Sequence, residues 1–210
     1  MSYTSLIVKI KKLKQSKISS VVNQRIHEFI NLGKGNSKDI FKELCFCILT
    51  ANFNAQKSIL IQERLKDEFL YAEEKDLSKS LKTYGHRFPK KRAEYIVSAR
   101  KYKDSIKEII FSIQDKEEKR EWLVKNIKGI GYKEASHFLR NIGFLDYAIV
   151  DFHIIDLLER EGLIKRPNSL TKKRYLQIES VLEEIGSRVC LQLGALDLYL
   201  WYMETGQVLK

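Results

Sequence analysis

Apolar positions recur along the chain at intervals of three and four, the period of helices that bury one face. Ile26, Phe29 and Ile30 mark the end of one helix, closing at Gly33. Ile40, Phe41, Leu44 and Ile48 stripe a second, and Ile59, Leu60, Leu65 and Phe69 a third. Leu77, Leu81 and Tyr84 give a short fourth, which Gly85 stops. Pro89 fits the first turn of a longer helix carrying Ala93, Ile96, Val97 and Tyr102, because the first N–H groups of a helix have no partner to lose. Asp115, with Glu118 three residues on, has the form of a capping box ahead of Trp122, Leu123 and Ile127. Another helix is expected to start near Tyr132 and end by Gly143. Asp151 can cap the next, which holds Ile154, Ile155 and Leu158 and has Gly162 beyond it. Two more are expected over roughly 172–185 and 189–203. No run alternates with a period of two, and no repeat or low-complexity linker interrupts the pattern. The expected fold class is all-α.

Composition narrows what such a chain can be. Its 210 residues fit one domain or two small lobes. Charged residues at 31% and hydrophobic ones at 44% fit a globular protein and exclude wholesale disorder. No uncharged apolar run approaches the length that spans a membrane, so a transmembrane helix is excluded. The apolar residues of the first 17 positions are broken by Lys9, Lys11, Lys12 and Lys14, unlike a secretory signal. Cys45, Cys47 and Cys190 are too few for a disulfide framework or a four-cysteine cluster, and the first two sit in an apolar run as ordinary buried thiols. The histidines His27, His86 and His137 show no metal spacing, so neither a metal nor any other cofactor is expected. The net charge of +11 favours a polyanionic partner, since neutralising phosphates releases counterions. Charge alone does not choose one, because lysine-rich faces are commonly just solvated.

The most informative stretch is Ile127-Lys128-Gly129-Ile130-Gly131-Tyr132-Lys133-Glu134-Ala135. Gly129 and Gly131 let the backbone approach a phosphate without interference from a Cβ atom. Their amides, with the start of the helix near Tyr132, form an anion-binding nest. Ile130 is expected to tuck between the two helices and fix the turn. Read alone, the two glycines describe a plain helix–turn–helix. Lys133, in the first turn of the second helix, and Asp151, a helix and a short loop later, change that balance. An amine and a helix-capping carboxylate beside a phosphate-binding corner are the parts needed for attack on a sugar carbon.

Residues 128–135 together with Val150-Asp151-Phe152-His153 resemble the helix-hairpin-helix motif and downstream aspartate of the endonuclease III superfamily of DNA glycosylases. The resemblance covers most of the chain, from about Ser37 onward. Lys133 marks the lyase-competent branch. The missing four-cysteine cluster, the short length, the Asn52-Phe53-Asn54 stretch and the final lysine make the chain most similar to the archaeal-type 8-oxoguanine DNA glycosylases.

That resemblance implies two helical lobes with a lesion pocket between them. One lobe would comprise residues 1–56 plus 186–210, the other residues 57–185 with the hairpin and Lys133. It implies Lys133 as the nucleophile, forming a Schiff base to the deoxyribose, and Asp151 as the carboxylate that steadies the sugar cation. His153 would face a phosphate near the lesion. Asn52 would bond the estranged base and Phe53 wedge into the stack. Phe88 and Trp201 would stack on the flipped purine, and Lys210 would help separate 8-oxoguanine from guanine. The implied partner is double-stranded DNA containing 8-oxoguanine, met by a monomer with no membrane attachment, in the cytoplasm or nucleoid of a prokaryote. The alternatives are a glycosylase for another oxidised base and a non-enzymatic helix-hairpin-helix module that recognises DNA structure.

Overall fold

The structure, a computed structural model, describes residues 3–210, and among these residues it contains only helices and their connections. The elements are α1 (Tyr3–Lys14), α2 (Ile18–Lys34), α3 (Ser37–Thr50), α4 (Ala55–Leu65), α5 (Glu68–Tyr71), α6 (Glu74–Thr83) and α7 (Pro89–Ala99). A 3-10 turn (Arg100–Tyr102) leads to α8 (Ile106–Ser112), α9 (Lys116–Asn126), α10 (Tyr132–Asn141), α11 (Phe152–Arg160), α12 (Lys172–Val189) and α13 (Leu193–Thr205). The all-α expectation is borne out.

Most boundaries follow their local chemistry. Pro89 opens α7, and the Asp115 carboxylate accepts from the Glu118 N–H at 2.8 Å to cap α9. Gly85 stops α6 and Gly143 follows α10, both with positive φ. Three stretches differ from the pattern read in the sequence. The expected third helix is broken at Lys66, whose φ of +41° ends α4 and lets α5 start afresh. The helix expected through Tyr102 tightens into 3-10 geometry after Ala99. Helices α1 and α8 were not read at all. Each buries only two residues, Leu6 and Ile10 in α1, Ile106 and Ile110 in α8.

Packing gathers the helices into two compact units, one of the segment ending at Asn31 plus Leu139–Lys210, the other Leu32–Phe138. These boundaries lie elsewhere than those of the expected lobes. The expected boundaries fall inside α12 and in the first turn of α4, whereas the compact units part inside α2 and α10.

In the Leu32–Phe138 unit, α3 is the central strut. Ile40, Phe41 and every residue from Leu44 to Leu49 are buried, and α4, α5, α7 and α8 pack around it. An element buried on all sides needs apolar residues all round rather than one stripe. In the other unit, α1, α11 and α12 pack with α13, and Val22, Phe29, Leu198 and Tyr199 form a closed cluster. The Arg140 guanidinium lies 4.6 Å from the Phe29 ring, and its Nη1 bonds Asp197 at 3.0 Å. Cys45 and Cys47 are buried free thiols, whereas Cys190 is exposed in the left-handed turn that ends α12.

Candidate active site

In the Leu32–Phe138 unit, the corner between α9 and α10 takes the form its sequence implies. Gly129 has φ +82°, and a Cβ there would lie 2.4 Å from Tyr95 Cδ2, so no other residue fits without displacing that ring. Ile130 is buried in the turn. The Gly131 N–H donates to Glu134 Oε2 at 3.2 Å, the returning half of a capping box at the start of α10. Tyr132 hydrogen-bonds Glu121 of α9, which ties the two helices beyond the corner. Lys133 leaves the first turn of α10 half-buried, its Nζ 3.3 Å from Glu134 Oε1.

Two further segments are fastened to this corner from within the same unit. Arg92 of α7 lies beside Gly129, with Nη1 3.2 Å from a Cβ built there, and donates to the Ala51 carbonyl. The turn after α3 that follows Ala51 carries Asn52 and Phe53. Asn52 adopts φ +56°, which asparagine tolerates better than most residues, and is exposed. Asn54 caps α4 by accepting from the Lys57 N–H at 2.9 Å.

Phe53 rests on the buried ring of His86, with centroids 4.1 Å apart. His86 Nδ1 accepts from the Phe88 N–H at 3.0 Å, so the proton belongs on Nε2, which donates to the Leu49 carbonyl at 3.1 Å. Burial holds this imidazole below the usual histidine range, with Arg92 adding to the effect and the Leu49 bond opposing it. A neutral histidine thus joins the end of α3 to the start of α7. Phe88 stays 39% exposed, with the Arg87 guanidinium 5.0 Å from its ring.

The other unit holds the remaining predicted residues. The segment leading to Asp151 is buried at Tyr147, Ala148 and Val150, and α12 serves its peptide groups. The Ala148 N–H donates to Glu179 at 3.0 Å. The Tyr175 hydroxyl donates to the Ala148 carbonyl at 2.7 Å and accepts from the Val150 N–H at 3.2 Å. This brace delivers Asp151 to the N-terminus of α11, where its Oδ1 accepts from the Ile154 N–H at 3.0 Å. The second carboxylate oxygen is not needed by the cap. His153 stands edge-on to Trp201 of α13, with centroids 4.8 Å apart, and the Trp201 indole nitrogen is buried with no acceptor. Lys210, half-buried, ends the tail after α13.

The two units therefore divide the predicted residues. Asn52, Phe53, Phe88, Gly129, Gly131 and Lys133 belong to one, and Asp151, His153, Trp201 and Lys210 to the other. Three residues at these positions were missed by the sequence reading. Glu134 could have been found as the glutamate three residues into a helix, and Phe152, 72% exposed between Asp151 and His153, as an apolar residue at a cap. His86 gave no signal, because its role depends on two backbone groups far apart in sequence. Among the described residues, no group of histidine, cysteine or acidic side chains could hold a metal, and no helix is long and apolar enough to cross a membrane.

Residues 22–191 match the Ogg-HhH family model, described as 8-oxoguanine DNA glycosylase. The chain is 49% identical over 211 residues to the 8-oxoguanine DNA glycosylase/AP lyase of Korarchaeum cryptofilum, covering 100% of each. It is 51% identical over 206 residues to the protein of that name from Methanocaldococcus jannaschii, covering 98% of this chain and 99% of that one. The structure is similar to the M. jannaschii glycosylase/lyase in complex with a 15mer DNA containing 8-oxoguanine, with a TM-score of 0.95, 50% identity, and coverage of 98% and 100%. It is also similar to the 8-oxoguanine DNA glycosylase of Thermotoga maritima, with a TM-score of 0.93, 41% identity and full coverage of both chains.

Proposed function

The chain belongs to the Ogg-HhH family of 8-oxoguanine DNA glycosylases, and we propose that it excises 8-oxoguanine from duplex DNA and then cuts the strand. The observation that carries this reading is the position of Lys133. Its amine leaves the first turn of a helix entered through a glycine corner whose shape Tyr95 enforces. The N-terminus of α10 suits a DNA phosphate, while the Gly131 N–H of the corner is held by Glu134.

The damaged base must leave the stack before it is attacked. Phe88 and Trp201 offer flat surfaces for the extruded purine, Phe53 a wedge for the gap, and Asn52 a partner for the base left behind. The Lys133 amine forms a bond to C1′ as the bond from C1′ to the base breaks, and the base departs with that electron pair and takes up a proton. The Asp151 oxygen not used by the cap steadies the positive charge that develops on the sugar. Nitrogen then loses a proton, and its electron pair forms the C=N bond as the C1′–O4′ bond breaks and O4′ takes up a proton, which opens the sugar to a protonated Schiff base. Removal of a C2′ proton then expels the 3′ phosphate, which is β-elimination. His153 contacts a phosphate beside the lesion, and Lys210 contributes to the choice of 8-oxoguanine over guanine. The enzyme acts as a monomer in the cytoplasm or nucleoid, a placement supported by the prokaryotic source of its relatives.

The test is reductive trapping. Borohydride added during reaction with an 8-oxoguanine duplex yields a covalent protein–DNA adduct from the wild type and none from Lys133→Gln. An adduct from the variant at wild-type yield removes Lys133 from the role.

A further inference from the structure

Lys133 and Glu134 are consecutive residues of a helix, whose side chains ordinarily point about 100° apart and do not meet. Here they do, with Nζ 3.3 Å from Oε1. The reason lies at the corner: Glu134 folds back so that Oε2 accepts the Gly131 N–H at 3.2 Å, which turns its other oxygen toward the amine. Glu134 is more enclosed than its partner, with the side chains 14% and 26% exposed, and the Arg92 guanidinium is near enough to act on it electrostatically. A capping glutamate alone needs one oxygen. This one offers the second to the reacting nitrogen.

We infer that Glu134 is a catalytic residue, the base that relieves Lys133 of its proton as the amine attacks the sugar. The inference rests on Lys133 being the nucleophile. An ammonium nitrogen has no free electron pair. One N–H bond of Lys133 breaks, its proton passes to Glu134 Oε1, and the released pair forms the bond to C1′. As that bond forms, the bond from C1′ to the base breaks, and its electrons leave on the base. Glu134, now a neutral acid, returns its proton to solvent or to the departing base. The Gly131 N–H stays on Oε2 throughout, so Oε1 is again turned toward the amine for the next turnover.

The experiment uses the full chain and a duplex with a preformed abasic site, which isolates amine attack from base extrusion. Glu134→Gln keeps an oxygen for the Gly131 N–H but cannot accept the proton. Its single-turnover rate of borohydride trapping falls about 100-fold, while its affinity for a duplex with a stable tetrahydrofuran site stays within about threefold of wild type. Trapping at the wild-type rate overturns the assignment. Glu134→Ala supplies the second measurement: added acetate raises its trapping rate in proportion to concentration, an effect that a purely structural glutamate would not give. A rate that ignores acetate also overturns the assignment. Failure of the underlying reading is distinguishable, because Lys133→Gln would then still be trapped.

Discussion

Replacing Gly129 with alanine should damage the hairpin in a way that can be apportioned. The backbone there has φ +82°, which costs an L-residue about 1–2 kcal/mol. The new Cβ would sit 2.4 Å from Tyr95 Cδ2 and 2.8 Å from Cε2, about 1 Å inside ordinary contact. The Tyr95 ring is not free to yield cheaply, because Lys91 and Arg92 hold their charges 5.1 Å and 5.8 Å from its centre. Forcing such a ring aside costs about 1–3 kcal/mol, so the total expected loss is about 2–5 kcal/mol. Gly85→Ala is the matched control: its φ is +76°, yet nothing lies within 4 Å of the added atom, so only the backbone cost applies. Urea unfolding of both variants isolates the ring clash as their difference. Binding to a lesion duplex should weaken for Gly129→Ala and remain at wild-type strength for Gly85→Ala. If the two variants prove equally stable, to within about 0.5 kcal/mol, Tyr95 does not set the shape of the corner.

Three other outcomes follow from the geometry. Asp197→Ala removes the carboxylate that Arg140 Nη1 bonds at 3.0 Å, where the arginine side chain is 2% exposed, and should cost about 1.5–3 kcal/mol in urea unfolding; a loss below about 0.5 kcal/mol would mean the pair is idle. His86 is held neutral in the fold, so its ring takes up a proton more readily once the chain unfolds. Its contribution to stability is therefore present above the unfolded pKa of about 6.5 and is lost as pH falls below it. Unfolding at pH 7.5 and 5.5 should show a smaller acid loss for His86→Asn than for wild type. Phe88→Ala should cost the fold only about 1 kcal/mol, because the ring is 39% exposed, yet slow excision from an 8-oxoguanine duplex by about tenfold or more. Unchanged excision would leave Phe88 without a role in stacking.

The helices that could be read from the sequence were those whose boundaries are local events: a proline at a first turn, an aspartate reaching three residues ahead, a glycine past an end. The break at Lys66 was illegible because a lysine with positive φ has no sequence signal, and the apolar stripe continued past it to Phe69. The hairpin and Lys133 were legible for the same local reason, since their spacing lies within nine residues. What holds them was not. Arg92 reaches 41 residues back to Ala51, and His86 reaches 37 back to Leu49. The division into compact units was also hidden, because α2, α10 and α12 look alike in pattern whether or not a boundary runs near them.

The brace of Tyr175 and Glu179 behind the peptides at Ala148 and Val150 has a consequence for synthesis. Leu32–Phe138 is one uninterrupted stretch, so the half of the molecule with the amine can condense as soon as it leaves the ribosome. The acid must wait, since the residues that aim it are translated two dozen codons later. A nascent or prematurely terminated product would thus carry Lys133 before the brace that directs Asp151 exists, so the two roles proposed for them could not yet be combined.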